Sequence, residues 1–435
     1  MWIIYLIIIL ILLPLLAPPI PLRKREKQGW DGLPFATMGL ILVNILVFLL
    51  TVADNNFGLL EATVSSEVAE QWGIIPHSPN LLTLFAHLFL HGGWEHLFFN
   101  MLFLLLFGPH IEDALGRWEY LLFYIGGGFM AGLLHVFLAS TPLLSAAADK
   151  PLIGASGAIA AVLGLFAVRF WRAKLRVFLI FSIPAVYVIG FYALREIFTG
   201  IRAFADAGGS DSVANWAHIG GLLFGAVIAI PLRMKNDSRR EYTLEDAEVA
   251  GRQDRWLDAA QLYRRYLAEK PDDAAAHRAI GRASVKLRQS EEAHRHFLEA
   301  LRLYLQSPPS LGNSAAVAGV YGDACAAFET FPLPAALLSR IAGACEESAR
   351  FDLADRALTD LCRNHADTRE AENGLLRLGK LHLSRLNQPQ GATEIFAEFL
   401  RRYPGSEWRG HVERLYAEAQ SKTIDGGQRF YQPAV

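Results

Sequence analysis

Cysteine is scarce: the chain has three in 435 residues, all beyond residue 320, at Cys325, Cys345 and Cys362. Their spacing fits no zinc pattern, and free buried thiols in a reducing compartment are the expected state. Charge is scarce too, but only in one half. Residues 1–232 hold 12 Lys/Arg and 14 Asp/Glu, whereas residues 233–435 hold 29 of each. The formal net charge of −2 leaves no basic excess to neutralise phosphates, which removes the electrostatic case for a nucleic-acid partner. An average of 52% hydrophobic residues therefore describes neither half, and an ordinary two-domain soluble enzyme is a poor fit.

The first half consists of long apolar stretches broken by short polar clusters, at 2–20, 36–53, 94–108 (with a lead-in from Leu81), 120–139, 152–170, 177–194 and 213–232. Most approach the ~20 residues needed to cross a bilayer, so a polytopic helical membrane protein is expected. Basic residues cluster at Arg23–Lys27, at Arg169–Arg176 and from Arg233 to Arg240, while 54–82 contains no Lys or Arg. Alternating these clusters across the membrane places all three in the cytoplasm and 54–82, 140–151 and 195–212 outside. The stretch 2–20 lacks a basic lead-in and ends in Pro14, Pro18, Pro19 and Pro21, so an extra helix fits better than a secretory signal.

Polar side chains within the apolar spans mark functional candidates. Gly92 and Gly93 break the third span, so a helix should begin near Trp94, with His96 and Asn100 one turn apart on one face. The span PLIGASGAIAAVLG places Ser156 about five residues in, and NWAHIGGLLFG places His218 about six residues in. All three helices run inward, which brings Ser156, His218, His96 and Asn100 to one level, roughly 8–10 Å below the outer boundary. A serine with a neighbouring imidazole base is the equipment of nucleophilic acyl transfer. Asn100, His96 and the Ser156 amide would supply donors to an oxyanion. Gly154, Gly157, Gly221 and Gly225 would let the Ser and His helices approach, Gly221 and Gly225 in a small-xxx-small pattern. No carboxylate stands beside His218 in sequence, so a Ser–His dyad is expected. His87 and His91 are four apart, but Glu95 lies beyond the glycine break, and neither a metal nor another cofactor is expected.

At these residues the sequence resembles the rhomboid family of intramembrane serine proteases. The likeness runs through HLFLHGGWEHLFFNMLFLLLFGPHIEDALGRWEYLLFYIGGG, GASGAIAAVLG and AHIGGLLFG, over about residues 36–232, and IPLRKRE is similar to the basic lead-in of bacterial members. The resemblance implies a nucleophile at Ser156, a general base at His218, oxyanion donors at His96 and Asn100, and a supporting role for His91. It assigns Glu112 and Arg117 to a structural cytoplasmic region. Many members carry an aromatic residue four after the serine; here that position is Ala160. The implied substrate is a transmembrane helix of another protein, cut near its outer end, in a bacterial inner membrane.

After Arg240 the composition is that of a soluble helical domain. AAQLYRRYLAEKP at 259–271 and ATEIFAEFLRRYP at 392–404 share residue types at equal offsets, and Ala293, Phe297 and Leu301 repeat the Ala259, Tyr263, Leu267 spacing after 34 residues. That period resembles tetratricopeptide repeats, with three to five helix pairs expected and a plain helical bundle as the alternative. Such a domain binds peptides or partner proteins. The expected layout is an all-α chain: an N-terminal helix and basic linker at 1–30, a membrane domain at 31–235, a linker at 236–250, a cytosolic repeat domain at 251–420 and a flexible tail at 421–435. A non-catalytic adaptor that binds transmembrane helices is the competing reading of the whole.

Overall fold

The computed structural model describes residues 20–21, 33–53, 63–141, 149–177, 181–205, 212–308 and 310–429. The chain divides into two units, Met1–Arg239 and Arg240–Val435. The expected span 2–20 lies outside the described residues except for its last residue. Ile20–Pro21 forms strand β1, which pairs antiparallel with Leu175 and Arg176.

The first unit is built from helices α1 (Phe35–Thr51), α2 (Ser66–Trp72), α3 (Leu81–Ala86), α4 (Trp94–Leu115), α5 (Arg117–Ala139), α6 (Ser156–Arg169), α7 (Ala185–Ala205) and α8 (Ser212–Ile228). A 3-10 turn at His87–Phe89 precedes α4. Two small antiparallel sheets join them: β2 (Val52–Ala53) with β3 (Thr63–Val64), and the order β1-β4-β5 with β4 at Lys174–Val177 and β5 at Phe181–Pro184. Among the described residues, α4 and α5 are long and apolar enough to cross a membrane, and α1, α6 and residues 214–228 of α8 are shorter apolar helices. The exposed large apolar side chains belong to this unit, all but Leu257, Leu311, Trp408 and Ile424. Such a coat suits lipid rather than water.

One span departs from expectation. The run expected at 177–194 starts as a β-hairpin, with Lys174 opposite Pro184, and turns helical only at Ala185. Proline has no N–H to continue a strand ladder and fixes φ near the helical value, so Pro184 marks the change. The helix then runs to Ala205, which moves Arg195 and Glu196 from an expected outer loop into mid-helix.

A buried carboxylate fastens α1. Glu112, 3% exposed on α4, accepts the backbone N–H groups of Ala36 (3.0 Å) and Thr37 (2.9 Å) and the Thr37 hydroxyl (2.8 Å). The first amides of a helix have no intrahelical acceptor and carry the positive end of its dipole, so a carboxylate satisfies both needs. Arg117 lies 4.8 Å over the Phe35 ring at the same corner.

The second unit is a stack of helices, α9 (Met234–Arg252, which covers the stretch expected as a linker and belongs to this unit from Arg240 onward), α10 (Trp256–Glu269), α11 (Ala274–Lys286), α12 (Ser290–Gln306), α13 (Leu311–Ala327), α14 (Ala335–Glu347), α15 (Phe351–Asn364), α16 (Arg369–Ser384), α17 (Pro389–Arg402) and α18 (Arg409–Arg429). From α10 onward each packs on the next. Four hairpins, α9–α10, α11–α12, α14–α15 and α16–α17, share one turn, with a left-handed residue at Asp254, Arg288, Ala349 and Asn387 (φ 54–58°). Behind it an N–H reaches back to close the helix end: Arg255 to Ala250, Gln289 to Ser284 and Arg350 to Cys345, each five residues back, and Gln388 to His382, six back. This is a Schellman-type closure, usually made by glycine. The aligned residues Ala259, Tyr263, Ala293, Phe297, Ala392 and Phe396 are all buried. A Cβ at Gly281 would strike the Phe297 ring, and one at Gly379 the Phe396 ring, so a missing side chain admits an aromatic at both crossings. α13 stands between the second and third hairpins, where the repeat is irregular. The last helix continues to Arg429, through most of the segment expected as a flexible tail.

Two measurements check this packing. Glu112→Ala strands two backbone donors and a hydroxyl and should lower stability by about 3 kcal/mol, read as a fall in thermal midpoint in lipid. The free thiols Cys345 and Cys362 are buried, and burial pushes both up to about 12. At pH 8 they should resist iodoacetamide in the folded chain and label only on unfolding, with the partly exposed Cys325 reacting first.

Candidate active site

The chain enters α6 through a pinned loop. Leu152 exchanges two backbone hydrogen bonds with Ile74 (2.9 and 3.0 Å), and the Gly154 N–H donates to the His87 carbonyl (2.9 Å). Gly154 adopts φ +125°, a region that favours glycine. Two residues later the helix begins, with Ser156 as its first residue. Its amide thus has no intrahelical acceptor and sits at the positive end of the helix.

His96 stands against this loop. A Cβ on Gly154 would lie 2.8 Å from both Cε1 and Nε2 of the His96 ring, and the Ser156 Oγ is 3.7 Å from the same point. The Gly92 N–H donates to His96 Nδ1 at 3.2 Å. An accepting nitrogen carries no proton, so the neutral ring bears its N–H on Nε2, toward Gly154 and Ser156. His91 is fully buried and meets His96 edge-on at 5.1 Å. Asn100, one turn along α4, is buried; among the described residues its side-chain nitrogen has no hydrogen-bond partner.

His218 projects from α8 into the same space. One cavity of about 440 Å³ is lined by Ser156, His218, His96 and Asn100, together with Glu95, Ala160, Tyr192 and apolar side chains. The four residues that sequence placed at one level therefore share one pocket.

The glycines divide their work. Cβ atoms at Gly221 and Gly225 would drive into the carbonyl oxygens of Gly157 and Ala161, so these two set how closely α8 lies on α6. Gly157 instead faces Ala131 of α5, and Gly154 makes room for His96. Gly164, which the sequence reading passed over, meets the Leu222 backbone and extends the α6–α8 contact.

Two side chains around His218 are absent from the sequence expectation. Glu196 Oε2 lies 3.0 Å from His218 Nδ1, and its other oxygen accepts from Arg195 Nη1 at 2.7 Å. Glu196 is 2% exposed. The Tyr192 ring tilts against the imidazole with centroids 6.3 Å apart. The dyad was expected because no carboxylate stands beside His218 in sequence; in the fold Glu196 does stand beside it. Contacts of Glu196 with His218 and of Gly200 with Trp216 show that α7 folds back antiparallel on α8, which brings a residue 22 positions earlier to the imidazole. The acidic residue and the tyrosine, four apart on one helix, were the available signal.

Fold and pocket together define a membrane-embedded helical protein with a serine and a histidine facing one cavity, joined to a helical-repeat domain. The Rhomboid domain model matches residues 78–235. The Bacillus subtilis (strain 168) putative rhomboid protease YdcA is 30% identical over 156 residues, covering 36% of this chain and 69% of its own length. Yeast rhomboid protein 1, mitochondrial, is 28% identical over 166 residues (38% of this chain, 46% of that protein). The human presenilin-associated rhomboid-like protein, mitochondrial, is 27% identical over 212 residues (47% and 50%). The chain belongs to the rhomboid family; it spans about two thirds of the first of these relatives and about half of the others. For the second unit, a solved tetratricopeptide protein of Thermus thermophilus is 18% identical, with 42% of this chain and 98% of that chain covered and a TM-score of 0.19. The repeat here is defined by its own four turns.

The interhelical geometry has a direct check. Gly225→Ala places a methyl against the Ala161 carbonyl, where no side chain can rotate away, and should cost about 1–3 kcal/mol in thermal unfolding.

Proposed function

We propose that this chain is an intramembrane serine endopeptidase that cleaves transmembrane segments of other membrane proteins near their outer ends. The observation that carries the reading is the shared cavity: Ser156 at a helix N-terminus, His218 across from it, and the donors of His96 and Asn100 on a third helix. In the reaction, the Ser156 hydroxyl attacks the scissile carbonyl while His218 Nε2, the ring nitrogen not engaged by Glu196, accepts its proton. The tetrahedral oxygen is held by the Ser156 amide, the His96 Nε2–H and the Asn100 side-chain N–H. His218 returns its proton to the leaving amine, leaving an acyl-serine that water, deprotonated by the same imidazole, then hydrolyses.

A substrate helix has its backbone bonds satisfied internally, so it must unwind before entering a cavity of this size. Small or helix-breaking residues near the cut site would favour that. By the placement of basic residues, the repeat unit faces the cytoplasm of a bacterial inner membrane, with a peptide or protein as its partner. In the competing reading, an adaptor would bind transmembrane helices without cutting them.

Ser156→Ala and His218→Ala should each remove cleavage of a model transmembrane substrate in proteoliposomes, by a factor of about 10³ or more, without unfolding the chain. A fluorophosphonate should label the wild type at Ser156. Cleavage that persists in Ser156→Ala, or a folded wild type that neither cleaves nor labels, overturns the protease reading.

A further inference from the structure

We infer that Glu196 is a positioning residue for His218, so that the site works as a serine–histidine–glutamate triad held by α7; this inference rests on the protease reading above. An ionised carboxylate within an apolar helix is expensive unless it is paired and hydrogen-bonded. Glu196 meets that requirement with two dedicated partners. Arg195, on the adjacent position, holds Oε1 at 2.7 Å with a side chain that is 62% exposed, and Oε2 is left for His218 Nδ1 at 3.0 Å.

The geometry selects one tautomer. A carboxylate accepts only, so the hydrogen bond requires the proton on Nδ1 and leaves Nε2 bare, as the base that takes the serine proton must be. When the imidazole is protonated in the reaction, the new charge forms 3.0 Å from a negative group already in place. That stabilises the charged intermediate without reorganisation.

Tyr192 completes the support. Its ring tilts against the imidazole from one turn before Glu196, and it lines the cavity beside Ala160. Ala160 lies on the serine helix and is too small to orient a ring. The base is therefore oriented from α7, by a hydrogen bond along one edge and an aromatic face beside it.

The competing account makes Glu196 a strut that merely ties α7 to α8. Kinetics and tautomer separate the two. With the full chain in proteoliposomes, Glu196→Gln should reduce kcat for a model transmembrane substrate on the order of 100-fold, leaving KM and thermal midpoint near wild type. Glu196→Asp, which keeps the charge, should recover part of that loss. Nitrogen chemical shifts of the resting wild type should report His218 with its proton on Nδ1, and Glu196→Gln should mix the tautomers. Glu196→Gln with kcat within threefold of wild type, or loss of kcat that tracks loss of folded protein and is not relieved by Glu196→Asp, overturns the inference alone. Should Glu196→Gln fail to accumulate, a wild-type His218 protonated on Nε2 overturns it by itself, and one protonated on Nδ1 supports it. A folded wild type that neither cleaves nor labels at Ser156 overturns the protease reading and this inference with it.

Discussion

The close approach of α6 and α8 is the constraint on which the first unit depends. Lipid supplies no hydrophobic force between helices, so two of them hold together only where their backbones can touch. Gly221 and Gly225 on one side, and Gly164 on the other, bring the two backbones to a separation that any side chain would prevent. Ser156 and His218 sit toward one end of this seam. A methyl group on Gly221 or Gly225 would press the helix that carries the imidazole away from the one that carries the hydroxyl. Packing and chemistry here are one requirement.

Two buried carboxylates show how the same unit tolerates charge in an apolar setting. Glu112 is satisfied by the first amides of α1 and serves to fix that helix to α4. Glu196 is satisfied by an arginine and an imidazole. The first partner set is rigid backbone and makes a joint. The second contains an imidazole, whose two ring nitrogens can accept a proton on one side while donating on the other. The two acids are equally buried and differ in the chemistry of their partners.

The second unit reaches order by another route. Apolar burial drives its assembly, and its regularity comes from a left-handed residue at the turn of four hairpins and from glycines facing aromatic rings at two crossings. The left-handed positions are occupied by Asp254, Arg288, Ala349 and Asn387 rather than glycine. Each accepts a modest backbone strain because the closing hydrogen bond and the packed hairpin behind it determine the conformation. The residues between Ser307 and Pro334 interrupt the period with one unpaired helix, α13.

Much of this was legible in the chain itself. The apolar spans, the break at Gly92–Gly93, the serine and histidine at matched depth and the Ala–aromatic–Leu spacing all follow from local composition and helical period, which act over a few residues. The β-hairpin at 174–184 was hidden because an apolar run of β-branched and aromatic residues serves a strand or a helix equally well, and only Pro184 hints at the change. The repeat turns were hidden because no glycine marks them. Glu196 and Tyr192 were hidden for a different reason: their meaning depends on which helix folds against α8. Local composition and spacing carry the membrane class, the resemblance and the identity of four polar residues in one pocket. Which residue stands behind the imidazole is a matter of the fold, because a hydrogen bond between positions 196 and 218 exists only once two antiparallel helices have chosen their register.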